Sequence, residues 1–108
     1  MKKFVILIPV FNDWDSLIKL LNEINENIKN FKNIIFECVV INDASTKNQP
    51  ELIKPSNIKS FQILNMKENK GHARCNAFGI RYIYKNKEFD NLILMDGDGE
   101  DRPVEIKD

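Results

Sequence analysis

Phe4-Val5-Ile6-Leu7-Ile8-Pro9-Val10-Phe11-Asn12-Asp13 is the stretch that decides the fold. It opens on a continuous apolar run of strand length, Phe4 to Ile8. A strand with no polar face needs cover on both sides, as at the centre of a parallel sheet under helices. Pro9 ends the run, and Asn12 or Asp13 suits the N-cap of a helix. Leu17, Leu20, Leu21, Ile24 and Ile28 then make one stripe of an amphipathic helix reaching about Asn30. Lys19, Asn22, Glu23 and Glu26 fall on its other face.

Working outward, a second strand is expected from Ile34 to Ile41, followed by the loop-favouring Asn42-Asp43-Ala44-Ser45-Thr46. Lys47 to Pro55 is polar and broken twice by proline, so it reads as a loop with at most one helical turn. A weaker strand is expected from Lys59 to Leu64. Asn69-Lys70-Gly71 then opens a helix from His72 to Lys85, with Ala73, Ala77, Ile80 and Tyr84 as its expected inner stripe. A fourth strand, Asn91 to Met95, ends on Asp96, and an acidic tail with Pro103 follows. The order β-α-β-loop-β-α-β predicts an α/β fold, an open parallel sheet of about four strands flanked by helices, with right-handed crossovers.

The chain has 108 residues, enough for one domain, and 43% of them are hydrophobic, enough for a small core. Sixteen basic and sixteen acidic residues cancel, which argues against a nucleic-acid partner. Cys38 and Cys75 make no disulfide framework and no zinc spacing, so both read as reduced, structural thiols. The apolar run after Met1-Lys2-Lys3 is too short for a signal peptide and is cut by Pro9, with no small-residue cleavage site beyond it. Nothing approaches the roughly 20 apolar residues of a membrane span, so a cytoplasmic location is expected.

Three polar clusters follow strand ends: Pro9 to Asp13, Asn42 to Thr46, and Asp96 to Asp101. In an open parallel sheet these ends line one edge, where ligands bind near the reversal of strand order. Met95-Asp96-Gly97-Asp98-Gly99-Glu100-Asp101 is the sharpest of them. Asp96 and Asp98 are alternate residues leaving a strand, and crowded carboxylates call for a cation; their hard oxygens suit Mg²⁺ or Mn²⁺. Such an ion could neutralise a departing diphosphate. The stretch is no calcium hand, since Asp101 and Lys107 stand where that loop needs Gly and Glu. A dehalogenase-type phosphatase would carry its Asp-x-Asp after the first strand, not the last. Asp43 could accept hydrogen bonds from a ribose or a base. Gly71, His72 and Arg74 open a helix, and helix N-termini attract phosphate, with Arg74 able to add a bidentate contact. No P-loop and no Gly-x-Gly-x-x-Gly is present.

Together, Ile8-Pro9-Val10-Phe11-Asn12-Asp13, Val40-Ile41-Asn42-Asp43-Ala44-Ser45-Thr46, Asn69-Lys70-Gly71-His72 and Met95-Asp96-Gly97-Asp98 come in the order seen in family 2 glycosyltransferases. The chain resembles that family over nearly its whole length. The closest subgroup is similar to the polyprenyl-phosphate and dolichol-phosphate sugar synthases, which carry a Gly-His near the second helix and an Asp-x-Asp-x-Gln/Glu before a Pro-Glu-like segment, here Arg102-Pro103-Val104-Glu105. The resemblance implies the Rossmann-like half of a GT-A fold and a nucleotide-diphosphate sugar donor. It implies that Pro9, Val10, Phe11, Asp13 and Asp43 hold the nucleoside, and that Gly71, His72, Arg74, Asp96 and Gly97 also line the donor site. Asp96, Asp98 and Glu100 would bind Mg²⁺ or Mn²⁺, with inverting transfer to a polyprenyl phosphate or glycan acceptor. Asn42 stands where many members have a first Asp, while Asp43 keeps the second.

The chain stops soon after this motif, whereas family enzymes continue. The expectation is therefore a donor-binding part, residues 1–108, with acceptor site and general base elsewhere and weak or no transfer alone. An edge left beside Asp96 is expected to promote self-association. The alternative is a non-catalytic nucleotide- or metal-binding module.

Overall fold

The computed structural model describes residues 1–96. The elements are β1 (Lys2–Val10), α1 (Trp14–Ile28), β2 (Ile34–Asn42), β3 (Ser60–Asn65), α2 (His72–Asn86) and β4 (Asn91–Leu94). All strands run parallel in the order β3-β2-β1-β4, with β1 at the centre as its apolar run requires. The chain steps outward from β1 through β2 to β3, then returns to β1's other side for β4. The reversal of direction lies between β1 and β4.

β1 extends beyond the expected run and takes in Pro9, which pairs in register with Ile41. The reason is which neighbour loses a bond. Leu7 O accepts from Met95 N at 2.9 Å, and Val10 O accepts from Asp43 N at 2.8 Å. Backbone groups alternate in direction along a strand, so Pro9 faces the β4 side, as Leu7 does. The next bond of the β1–β4 ladder would need an N–H at Pro9. Pairing with β4 stops at Leu7 and Leu94, and the proline costs β2 nothing.

The helices cover opposite faces. Ile6, Ile8 and Val10 of β1 pack with Phe36, Cys38 and Val40 of β2 against Trp14, Leu17, Leu20, Leu21, Ile24 and Ile28 of α1. Val5, Leu7, Val39 and Ile41 face α2, which buries only Cys75, Gly79 and Ile83. Full burial of one large apolar side chain contributes about 1.5–3 kcal/mol. α1 is therefore held mainly by its apolar stripe, and α2 depends more on how its ends are tied.

Several details differ from expectation. Asp13 takes the N-cap position of α1, but its side chain makes no cap bond; its backbone oxygen accepts from Leu17 N at 3.1 Å. The 47–55 segment forms no helical turn. The buried line of α2 is not Ala73, Ala77, Ile80 and Tyr84: Ala73 and Ala77 are exposed, Tyr84 is 69% exposed, and Ile80 is only half-buried. Close approach overrides hydrophobicity here. A Cβ on Gly79 would lie 2.6 and 2.8 Å from the two δ-carbons of Leu7. The helix therefore lays its glycine side on β1, burying Cys75 and Ile83 one turn away on either side.

Among the described residues no helix is long and apolar enough to cross a membrane.

Candidate functional site

The loops after β1 and β2 are clasped together by Asn12. Its Oδ1 accepts from the backbone N–H groups of Thr46 and Lys47, both at 2.8 Å. Its Nδ2 donates to Thr46 Oγ1 at 3.0 Å, and its backbone N–H donates to Ser45 Oγ at 2.9 Å. Asn12 holds φ at 61°, a conformation asparagine tolerates better than most residues. Asn42 bridges in the other direction, donating from Nδ2 to Asn65 Oδ1 at 2.9 Å and accepting from Ser45 N at 3.0 Å.

The β2 loop is in turn tied to the start of α2. Asp43 is 1% exposed, and its carboxylate accepts from Lys70 N at 2.7 Å and Gly71 N at 2.9 Å. Its negative charge faces the positive end of the helix. Gly71 has φ 85°, which a residue with a Cβ rarely adopts. The Cys75 thiol is pushed up to about 12, first by burial and then by its hydrogen bond to Asp43; Cys38, buried on the α1 side, is also pushed up to about 12 by burial. Both stay protonated and unreactive at neutral pH, as structural thiols should.

From Gly71 the backbone leads directly to His72, whose Nδ1 lies 3.4 Å from Asp96 Oδ1, an ion pair when the imidazole is protonated. Both side chains are partly exposed, at 40% and 32%. They line a cavity of about 140 Å³ with Pro9, Asn76, Leu94 and Met95. That cavity lies between the ends of β1 and β4, the reversal point where open parallel sheets bind ligands. Larger hollows exist elsewhere: about 320 Å³ between α1 and residues 51–55, and about 250 Å³ beside Met1 and Asp90. Neither lies at the carboxyl ends of the strands, and neither holds a residue singled out by the motifs.

The candidate residues thus sort into three groups. Pro9, His72 and Asp96 meet around the cavity, and Gly71 precedes it. Phe11 and Asp13 are exposed beyond the end of β1, and Arg74 is exposed on the first turn of α2. Val10 belongs to the α1-side core at 1% exposure, and its backbone oxygen is taken by Asp43 N, so its side chain presents nothing to a ligand. Asp43, read as a ribose or base acceptor, is buried and occupied by backbone amides; it builds the rim. Gly97, Asp98 and Glu100 lie outside the described residues. Among the described residues no three His, Cys, Asp or Glu side chains gather to hold a metal ion. Asp96 offers a hard oxygen donor at the rim, of the kind that suits Mg²⁺ or Mn²⁺.

Two roles are not evident from the sequence. Asn12 reads there as a cap and as part of the Pro9 to Asp13 cluster, and its clasp on the β2 loop comes from a residue type fitted to positive φ and to bonding nearby amides. Asn76 lies one turn after His72 on the same helix face, and that i, i+4 spacing was its available signal.

Residues 5–108 match the sequence model of the family described as Glycosyl transferase family 2. No curated protein matches the chain. The match spans β1 to β4 and continues past Asp96, and the four-stranded parallel sheet with helices on both faces agrees with the Rossmann-like half of the GT-A fold. This chain belongs to glycosyltransferase family 2.

Proposed function

We propose that this glycosyltransferase binds a nucleotide-diphosphate sugar at the carboxyl rim of the sheet for inverting transfer to an acceptor such as a polyprenyl phosphate. The observation that carries this reading is the cavity at the β1/β4 reversal, with His72 and Asp96 3.4 Å apart at its wall. The exposed Phe11 ring, 39% accessible, offers an apolar face to a base beside the clasped loops. Asp96, with Asp98 and Glu100, would hold Mg²⁺ or Mn²⁺, which when bound supplies charge neutralisation on the diphosphate. The exposed Arg74 and the amides opening α2 favour phosphate on the same side. Asp43 acts by fixing those amides. No general base is assigned to any described residue.

The test is a thermal-shift panel of UDP, GDP, UDP-glucose and GDP-mannose, with and without Mn²⁺. Metal-dependent stabilisation by at least one nucleotide is expected, and it should vanish in the Asp96→Ala/Asp98→Ala double variant. Equal shifts in wild type and double variant would overturn the acidic-cluster reading. Product formation from the bound nucleotide sugar separates an enzyme from a binding module.

β4 is an outer strand of the described sheet, and self-association through it belongs to the same proposal. A monodisperse monomer in sedimentation velocity would remove that element.

A further inference from the structure

We infer that Asn76 is a sugar-contacting residue of the donor site, an inference that rests on the nucleotide-sugar reading above. The target is a ring hydroxyl, of either the ribose or the transferred sugar.

Three observations converge on it. Asn76 lines the cavity at the β1/β4 reversal together with His72, one helical turn earlier on α2. Its Oδ1 is buried and has no hydrogen-bond partner among the described residues. A buried acceptor without a donor destabilises the fold, so such an atom in a native structure asks for an explanation. The same atom in a donor site is an acceptor held ready for a hydroxyl. Among the described residues two other buried polar atoms lack partners, Trp14 Nε1 and Gln62 Oε1, but neither residue lines this cavity, and the Gln62 amide still donates to Tyr82 at 3.2 Å.

The placement of Asn76 follows from the packing of α2. Gly79 lets the helix settle against Leu7, and the half-buried Asn76 lies three residues before it. Pro9 ends pairing with β4 on the same side, leaving the gap that Asn76 lines. Pro9, Leu94 and Met95 supply apolar wall; Asn76, His72 and Asp96 supply polar groups. A sugar ring has the same mixture, C–H surface with hydroxyls at its edge. At about 140 Å³ the cavity is well below the roughly 300 Å³ at which pockets take a whole drug-sized ligand, so it is a subsite for one ring.

Asn76→Leu is the decisive variant, because the two side chains are nearly isosteric. Removing an unpaired buried acceptor should leave thermal stability unchanged or raised. Removing a ligand contact should weaken binding. Isothermal titration of the 108-residue chain with UDP, GDP, UDP-glucose and GDP-mannose, each with Mn²⁺, reads the second effect. A Kd raised about tenfold or more without loss of Tm is expected. Asn76→Ala, which adds no bulk, should weaken binding in the same direction and guards against a steric effect of leucine. Loss on the free diphosphates as well as their sugars assigns the hydroxyl to ribose; loss confined to the nucleotide sugars assigns it to the transferred sugar. If wild type binds and both variants bind equally well, the inference falls alone, and the carboxamide meets only water. If wild type binds none of the probes, the nucleotide-sugar reading falls with it.

Discussion

Glu37 on β2 and Asp43 just past its carboxyl end are both buried, and each ties one end of α2 to the sheet. They do it in different ways. Glu37, at the amino end of the strands, takes Lys87 Nζ at 2.9 Å, just past the end of α2, and Lys3 Nζ at 3.6 Å. Lys3 and Asp90 exchange two further bonds nearby, at 2.7 and 2.8 Å. Asp43 uses no cation: it is held by the backbone amides of Lys70 and Gly71. All the positive φ angles among the described residues, at Asn12, Ala44 and Gly71, lie at Asp43's end. So does the unpaired Asn76 acceptor. One end of the helix is an anchor with its charges matched. The other carries backbone strain and an unanswered polar atom, the features that concentrate where a protein binds something.

The contrast can be broken by substitution. Asp43→Ala should have the largest effect. It leaves two part-buried amides without their acceptor and removes charge-assisted bonds, each contributing about 1.5–3 kcal/mol, so a loss of about 3 kcal/mol in denaturant unfolding is expected. Nucleotide binding should go with it, because His72 follows those amides directly. Retained binding would show that the rim does not depend on this tie. Glu37→Ala should cost somewhat less, about 2 kcal/mol, because the Lys3 side chain is already 35% exposed and Lys87 lies past the end of α2, so both can turn toward water. Its signature is selectivity: lower Tm with unchanged affinity for the nucleotide probes. A matching fall in affinity would mean the two ends of α2 are coupled. The smallest effect has the opposite sign. Ala44 holds φ at 57° without the freedom of glycine, so Ala44→Gly should stabilise by about 0.5–1 kcal/mol. A destabilised variant would place the local strain elsewhere.

The sheet was legible because Phe4 to Ile8 and Val39 to Ile41 leave no polar face, and only a central parallel position covers both sides of such strands. The rim was legible for the same reason, since polar clusters after strand ends must share an edge. The facing of α2 was not. Counting hydrophobic side chains selects Ala73, Ala77, Ile80 and Tyr84, but the contact is set by the side chain Gly79 lacks. Asp43 was legible as a polar residue of the rim, but its bonds to the Lys70 and Gly71 amides were not, because they depend on how the start of α2 is set beside the end of β2. Asn76 stayed hidden because its importance lies in a bond it does not make. The expected roles of Asp98 and Glu100 lie outside the described residues.

Pro9 sets a stop on the zipper between the two strands that flank the reversal. Had an ordinary residue stood there, its N–H would invite one more rung from the segment just past β4, drawing the chain toward Asp96 into the ladder and narrowing the cavity that Asn76 lines. A single absent hydrogen thus fixes how far β4 may run beside β1, and so where Asp96 is set down.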